Sequence, residues 1–218
     1  MEVGCGLGDL LQCLGKRGHT GIGIDLSDEA VNYAKSVLSC KKFVAINSDI
    51  DSLSDKYDII IASEVLEHCK DDTKLLRKMT ERLDKNGKII ITVPAHMDDW
   101  YSNDDFCGHL RRYEKAQSIQ LVISVGLQDV VIHSYGFPLF NILKPIYSIG
   151  IKSKIDRTKA IEDRTKDSGG MWVMSGLKML FSIIFNDLTM SPFYLLQKLF
   201  YRQDIGKGYC ASGVLKNV

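Results

Sequence analysis

Short apolar runs alternate with amphipathic segments through the first 93 residues, and this alternation constrains the fold more than any other feature of the chain. The clearest run, residues 57–62, is apolar at consecutive positions, as is typical of a parallel strand that is covered on both faces. A second run, residues 88–93, follows a segment in which Leu76 and Met79 share one helical face. Strands and helices that alternate in this way form a parallel sheet with right-handed crossovers. The predicted fold class is therefore α/β, with a doubly wound, Rossmann-like sheet.

The composition excludes several other classes of protein. The chain has 28 Lys+Arg against 27 Asp+Glu and a formal net charge of +1, so we expect neither the basic face of a nucleic-acid binder nor a DNA partner. No uncharged apolar stretch reaches the roughly 18 residues that a membrane-spanning helix needs. The six cysteines contain no CxxC pair, which argues against a zinc ribbon and suits a reducing compartment. We therefore expect a cytoplasmic protein.

The pattern changes after residue 94. Residues 95–112 are polar and irregular, which is typical of a long loop that carries function. The alternation then resumes with a predicted helix over 113–125 and a predicted strand over 128–135. The predicted organisation is a core, a helical substrate or cap region, and a final strand that returns to the core sheet: residues 1–136, 137–203 and 204–218.

Glycines or acids follow four successive predicted strands. Three glycines lie where the first strand turns into the first helix, a place where glycine lets a ligand approach the backbone: Gly4, Gly6 and Gly8. Their spacing is not the G-x-G-x-x-G of a dinucleotide-binding loop. Asp25, Asp49 and Glu64 follow the next three strands. Because the carboxyl ends of parallel strands meet at one edge of a sheet, this set predicts a nucleoside site, with Asp25 accepting hydrogen bonds from the ribose hydroxyls.

These motifs resemble those of class I S-adenosylmethionine-dependent methyltransferases, and in particular the small-molecule subgroup that includes ubiquinone-type O-methyltransferases. The motifs that carry the resemblance are Glu2-x-Gly4-x-Gly6-x-Gly8, Asp25, Asn47-Ser48-Asp49 and Ser63-Glu64-Val65-Leu66-Glu67-His68. The resemblance implies a seven-stranded, mostly parallel sheet, an enzyme, and S-adenosylmethionine as the methyl donor. Later elements, such as Gly108-His109-Leu110-Arg111-Arg112-Tyr113, resemble bacterial members associated with glycan or lipid-linked sugar pathways.

The resemblance also implies roles for individual residues at the cofactor. The glycines would surround the methionine part, Glu2 would reach its ammonium, and Asp25 would hold the ribose. Leu26 and Ile50 would line the adenine, Asp49 would accept from its amino group, and Ser63 would border the methionine end. The implied cofactor-binding residues are Glu2, Gly4, Gly6, Gly8, Asp25, Leu26, Asp49, Ile50 and Ser63.

Methyl transfer to a hydroxyl needs an aligned acceptor and a base for its proton. His68, His96 and His109 are the candidate bases, and Glu64 borders the reacting methyl. Oxygen is the expected acceptor atom because no Asn-Pro-Pro-Tyr run, a motif for amide nitrogen, follows the fourth strand.

Two further groups of residues could act beside the methyl donor. Glu64, Glu67 and His68 are spaced i, i+3 and i+4, so on a helix they would share a face and could hold a divalent cation. The alternative is a local cap or salt bridge at Glu67. The substrate-binding candidates are Arg111, Arg112 and Tyr113, since guanidinium groups suit a carboxylate or phosphate; a surface salt bridge or simple packing is the alternative.

The chain departs from the family pattern at its start. Met1 directly precedes Glu2, whereas family members carry several apolar residues before this glutamate. We therefore expect an N-terminally truncated chain that binds the cofactor weakly.

Other functions stay open at this stage. They are a non-catalytic cofactor-binding module of the same fold, a nicotinamide-dependent oxidoreductase, and a metal-assisted RNA 2′-O-methyltransferase suggested by the Glu64-x-x-Glu67-His68 spacing. The acceptor would be a small molecule, a glycan or a lipid-linked glycan. The apolar segment 137–201 is expected to cover the substrate cleft, with a peripheral membrane contact or a homodimer surface as the alternatives.

Overall fold

The computed structural model describes residues 1–39, 42–151 and 187–216. Seven strands form one sheet: β1 (Glu2–Val3), β2 (Gly21–Asp25), β3 (Phe43–Asn47), β4 (Tyr57–Ser63), β5 (Leu83–Pro94), β6 (Gln128–Tyr135) and β7 (Gly208–Val214). The α-helices are α1 (Asp9–Lys16), α2 (Asp28–Val37), α3 (Asp72–Glu81), α4 (Ser102–Cys107), α5 (Lys115–Ser124), α6 (Leu139–Ile151) and α7 (Asp187–Lys198). Short 3₁₀ turns cover Ile50–Ser52, Leu66–His68 and Met97–Asp99.

The strand order is β3-β2-β1-β4-β5-β7-β6. The pairs among β1 to β5 are parallel, and β7 lies antiparallel between β5 and β6. The predicted α/β class with a seven-stranded, mostly parallel sheet is confirmed. The strand order reverses between β1 and β4, and such a switch point opens a crevice at the carboxyl ends of the strands.

The centre of the sheet rests on a two-residue strand. Glu2 pairs with Gly23 on one side and Ile61 on the other. Helix α1 packs directly against this region, because a Cβ on Gly23 would lie 2.7 Å from Cβ of Cys5 and would also overlap Leu11. Glycine at this position therefore lets the first helix sit close to the sheet.

Buried apolar side chains lie in two clusters. The larger one joins β4, β5, β7, α3 and α5, and includes Ile60, Ile89, Ile91 and Tyr209. The smaller one joins α1, α2 and β3 around Leu11 and Val31. These clusters set the strands in register, so that their carboxyl ends form a common edge.

Two boundaries differ from the sequence pattern. Asn86-Gly87, which the pattern reads as the end of the helix after β4, lies inside β5, and α3 already ends at Glu81. Asn86 has a φ of 57°, and the β4–β5 register shifts between Tyr57 and Ile59. The left-handed residue thus accommodates an irregularity within a strand pair, where the sequence suggests a helix cap.

The second half of the chain is described in part. The predicted helix over 113–125 and strand over 128–135 are confirmed as α5 and β6. Of the proposed helical region 137–203, α6 and α7 are described, whereas residues 152–186 lie outside the described residues. None of the helices in the described ranges is long and apolar enough to cross a membrane.

Candidate active site

The glycine loop after β1 is held by the carboxylate at the end of β2. Oδ2 of Asp25 accepts a hydrogen bond from the N–H of Gly6 at 2.8 Å, and Oδ1 accepts from the N–H of Ser27 at 2.9 Å. Gly6 has a φ of +49°, and no described atom lies within 4 Å of the Cβ that it lacks. The loop therefore turns through left-handed backbone and faces open space, as a loop that admits a ligand must.

Val65 closes the other side of the loop. A Cβ on Gly4 would lie 2.5 Å from Cγ2 of Val65, so glycine allows the loop to approach the end of β4. Gly8, with a φ of 81°, is the N-cap of α1 and brings that helix within contact of Ala34. The three predicted glycines thus lie in one turn.

Glu2 lies in β1, directly before the glycine loop, and is buried. Its Oε2 has no hydrogen-bond partner within the described part of the chain. Burial, with a smaller contribution from the negative charges of Asp25 and Asp9, raises the pKa of Glu2 to about 8, against the N-terminal ammonium, which lowers it. A buried acceptor without a donor is costly, so this position favours a ligand that brings a donor or a positive charge.

The predicted adenine-side residues lie beyond β2 and β3. Asp49 caps the 3₁₀ turn that follows β3, with its Oδ1 accepting from the N–H of Asp51 at 3.1 Å. Ile50 is buried, whereas Leu26 is 69% exposed directly after β2. Leu26 thus offers an exposed apolar surface after β2, and Asp49 an exposed carboxylate after β3.

Glu64 follows β4 in a left-handed conformation, with a φ of 53°. Its N–H donates to the carbonyl of Thr92 at 3.0 Å, and Ser63 shares a 2.9 Å hydroxyl contact with Thr92. The hydroxyl of Tyr135, at the end of β6, donates to Oε1 of Glu64 at 2.6 Å. No sequence motif identifies Tyr135. Gly208 makes room for its ring, since a Cβ at that position would lie 2.3 Å from Cζ of Tyr135.

Glu67, His68 and His109 form the second part of the site. They each offer a ligand atom, and these atoms lie within 4.8 Å of one another. Oε1 of Glu67 is 3.9 Å from Nε2 of His109, and the His68 and His109 rings meet edge to face at 4.8 Å between centroids. Both carboxylate oxygens of Glu67 are buried and lack a hydrogen-bond partner among the described residues. The alternative of a local salt bridge or cap at Glu67 therefore finds no support in these contacts.

Protonation in this cluster is governed by burial. Burial raises the pKa of Glu67 well above its usual value, and the negative charge of Glu64 raises it further, while Lys144 on α6 lowers it. Burial and the neighbouring His109 lower the pKa of His68 to about 4, so His68 is neutral at pH 7. A neutral imidazole can accept a proton or bind a cation.

The predicted shared helix face of Glu64, Glu67 and His68 is wrong. The helix there is the short 3₁₀ turn Leu66–His68, and Glu64 precedes it in left-handed backbone. The residue that joins Glu67 and His68 is His109, which the loop after β5 brings in through the hydrogen bond from the N–H of Leu110 to the carbonyl of Glu67, at 2.8 Å.

Asp104, which no sequence motif identifies, anchors this loop. Its fully buried carboxylate accepts from Nδ1 of His109 at 2.8 Å and from Nε and Nη2 of Arg112 at 3.0 Å each. The N–H of Tyr101 donates to it at 2.8 Å. Burial alone would raise the pKa of Asp104, but the hydrogen bonds from His109 and Arg112 outweigh burial and lower that pKa to about 2.

The three predicted acceptor-binding residues make internal contacts instead. Arg112 is buried, and its remaining Nη1 donates to the carbonyl of Ala95 at 2.7 Å. Asp72 accepts from Nη1 of Arg111 at 3.0 Å and from the hydroxyl of Tyr113 at 2.8 Å. The expectation that Arg112 and Tyr113 face an acceptor does not fit this geometry, because long-range partners already use their donors.

His96, the remaining candidate base, lies between two acids of other elements. Its Nδ1 is 3.5 Å from Oε2 of Glu114, and its Nε2 is 3.6 Å from Oδ1 of Asp204. Its ring packs edge to face on Tyr209. These contacts join the loop after β5 to the segment before β7. His96 is therefore not a member of the cluster that Glu67 forms with His68 and His109.

The chain is similar in sequence to known methyltransferases. Residues 1–133 match the family model described as methyltransferase domain. The ubiquinone biosynthesis O-methyltransferase of Idiomarina loihiensis is 23% identical over 164 residues, which cover 66% of this chain and 66% of that protein. The enzyme of the same name from Coxiella burnetii is 30% identical over 99 residues, or 43% of this chain and 42% of that protein. The matched part of the chain thus spans two thirds or less of the length of these relatives.

A solved structure extends the similarity of fold to the second half of the chain. The SAM-dependent methyltransferase from Archaeoglobus fulgidus superposes with a TM-score of 0.57 at 17% identity, covering 98% of this chain and 84% of that one. At this identity the likeness concerns the fold.

The two neighbouring arginines are expected to differ sharply in their effect on stability. Arg112→Gln leaves the fully buried Asp104 without its charged partner and should lower the free energy of unfolding by about 3–5 kcal/mol. Arg111→Gln affects a pair whose arginine side chain is 34% exposed and should cost less than about 1 kcal/mol. Urea unfolding of both variants checks this; equal losses would contradict the structural role assigned to Arg112.

Proposed function

The chain belongs to the methyltransferase domain family of class I S-adenosylmethionine-dependent methyltransferases, and from this premise we propose that it transfers the methyl group of S-adenosylmethionine to a hydroxyl oxygen of a small-molecule acceptor. One observation carries the proposal. The glycine loop, held by Asp25, faces open space, and it directly follows Glu2, whose buried Oε2 lacks a donor among the described residues. A methionine ammonium supplies both the donor and the charge that this position requires.

The residues at the edge fit the rest of the cofactor. Asp25 uses one lone pair of each carboxylate oxygen on the backbone, and a carboxylate has about four, so it can still accept from two ribose hydroxyls. Leu26 and Ile50 would contact the adenine, and Asp49 would accept from its amino group. Gly4, Gly8 and Ser63 would shape the methionine end. When bound, the cofactor supplies an electrophilic methyl on a good leaving group.

The protein's own task is then to align the acceptor and to remove its proton. We assign the base to the Glu67–His68–His109 cluster, with Nε2 of His109 as the first candidate and the neutral His68 as the second. Glu64, held by Tyr135, would border the reacting methyl. Burial of the cluster keeps water away from the hydroxyl and strengthens its interaction with the base.

The assignment of oxygen rests on the names of the curated relatives, which are O-methyltransferases. We propose a small-molecule or lipid-linked glycan acceptor. Helix α7 and the turn that follows it offer exposed apolar side chains, among them Leu195 and Leu199 at 64% and 73% exposure, which would suit peripheral contact with a membrane that carries such an acceptor.

The decisive experiment is calorimetric titration of S-adenosylhomocysteine. We expect the wild-type chain to bind it and Asp25→Ala to bind about 10- to 100-fold more weakly, because the variant loses charge-assisted hydrogen bonds to the ribose and frees the glycine loop. Asp28→Ala, an exposed acid in the first turn of α2, is the matched control and should bind like the wild type.

The outcomes separate the proposal from its rivals. A wild-type chain that does not bind S-adenosylhomocysteine would overturn the proposed function. Binding without transfer of labelled methyl from S-adenosylmethionine to phenolic and sugar hydroxyl probes would favour a non-catalytic module. Transfer to RNA 2′-hydroxyls would favour the RNA methyltransferase.

The pKa of Glu2 predicts how affinity depends on pH. Glu2 is protonated below about pH 8, and the ammonium of the ligand favours its ionised form. Binding at pH 7 should therefore release a proton, and the affinity for S-adenosylhomocysteine should rise by up to about tenfold per pH unit until pH 8. Glu2→Gln has no proton to lose here, so its affinity should stay flat between pH 6 and 8. A wild-type affinity that is equally flat would argue against contact between Glu2 and the ammonium.

A divalent cation is the second arrangement that the cluster supports. Glu67, His68 and His109 would hold it, since two imidazoles and a carboxylate suit an ion such as Zn²⁺ and the orphaned oxygens of Glu67 need a partner. The ion would lower the pKa of an acceptor hydroxyl.

We expect Zn²⁺ titration to show binding to the wild-type chain that weakens at least about tenfold in Glu67→Gln, which removes a charged ligand. Glu81→Gln, at the exposed end of α3, should bind like the wild type. Equal binding by all three proteins would exclude the cluster as a cation site and leave the imidazoles as bases.

A further inference from the structure

Asp104 lies outside the strand ends that carry the predicted site, yet it contacts the site through His109. Its carboxylate is fully buried in α4, and Oδ1 is 2.8 Å from Nδ1 of His109. The same carboxylate accepts both Nε and Nη2 of Arg112 at 3.0 Å. The two side chains that meet Asp104 therefore come from one short segment, which enters the site from the loop after β5.

This contact determines which imidazole nitrogen carries the proton. A carboxylate can only accept hydrogen bonds, so Nδ1 of His109 must be the donor. The guanidinium of Arg112, paired with Asp104 through two hydrogen bonds, keeps that carboxylate ionised and fixed in direction. In the neutral ring the other nitrogen, Nε2, then carries the lone pair.

The lone pair is aimed at the cluster. Nε2 of His109 faces Oε1 of Glu67 across 3.9 Å, a distance too long for a hydrogen bond. The His68 ring lies edge to face beside it at 4.8 Å between centroids. The hydroxyl of an acceptor that donates a hydrogen bond to Nε2, or a cation bound by both atoms, would fill this gap.

We propose that Asp104 is a positioning residue for methyl transfer, which holds His109 in the Nδ1–H tautomer and so presents Nε2 as the acceptor in the cluster. The inference rests on the proposed function in that it assigns His109 a task in the transfer. It holds for both arrangements proposed above, because a base and a cation ligand use the same nitrogen. The buried Arg112–Asp104 pair would then both anchor the loop after β5 and fix the tautomer of His109.

Long-range ¹H–¹⁵N spectra of the labelled full chain at neutral pH test the proposal, with the His109 signals assigned by their absence in His109→Gln. In the wild-type chain we expect Nδ1 to be protonated and Nε2 to be unprotonated. In Asp104→Asn the amide can donate to Nδ1, so most of the His109 population should change to the Nε2–H tautomer. Asp105→Asn is the matched control, since Asp105 lies in the same helix and accepts from Nε1 of Trp100, and it should keep the wild-type pattern.

The wild-type spectrum tests the proposal even if Asp104→Asn does not fold. If Nε2 of His109, and not Nδ1, carries the proton in the wild-type chain, the proposal is overturned. An unchanged tautomer in a folded Asp104→Asn chain overturns it as well. S-adenosylhomocysteine titration of the same samples separates failure of the proposed function from failure of the proposed role of Asp104. A wild-type chain that does not bind S-adenosylhomocysteine would contradict the proposed function. A wild-type chain that binds it but carries His109 as the Nε2–H tautomer would contradict only the role of Asp104.

Discussion

The buried ion pair between Asp104 and Arg112 is the contact on which the second half of the site depends. Both side chains are removed from water, and such a pair is tolerated when every donor and lone pair finds a partner. Here Arg112 also bonds the carbonyl of Ala95, and Asp104 also bonds His109 and the N–H of Tyr101. The loop after β5 is thereby closed onto the carboxyl end of β5, and this closure brings His109 to Glu67.

The buried acids among the described residues, Glu2, Glu67 and Asp104, fall into two kinds. Asp104 is fully satisfied, and its pKa is lowered to about 2 by His109 and Arg112 against the effect of burial. Glu2 and Glu67 are buried with orphaned oxygens among the described residues, and burial raises the pKa of each. An unsatisfied buried carboxylate lowers stability unless a ligand completes it. Under the proposed function, the cofactor would complete Glu2, and the acceptor or a cation would complete Glu67.

The fold could be predicted from the sequence because strand and helix periodicity are local properties, and the strand-end acids followed because parallel strands share an edge. The contacts of the second half are not local. Tyr113 bonds Asp72 across 41 positions, and Tyr135 reaches Glu64 across 71. A run such as His109-Leu110-Arg111-Arg112-Tyr113 has the composition of an anion site, but composition does not reveal that Asp72 and Asp104 already use its donors. Asp104 and Tyr135 could be found only once tertiary contacts were known.

The strained turn at Glu64 explains why the site departs from helical spacing. A left-handed glutamate costs on the order of 1–2 kcal/mol, and the hydrogen bonds to Thr92 and Tyr135 hold it in place. Had β4 continued directly into a helix, Glu64 would have stacked with Glu67 and His68 on one face. The turn instead separates Glu64 from the short 3₁₀ turn, so that Glu67 points into the protein and His109 takes the third place. The left-handed turn therefore divides one acidic motif into two parts, with Glu64 bonded to Tyr135 and Glu67 grouped with His68 and His109.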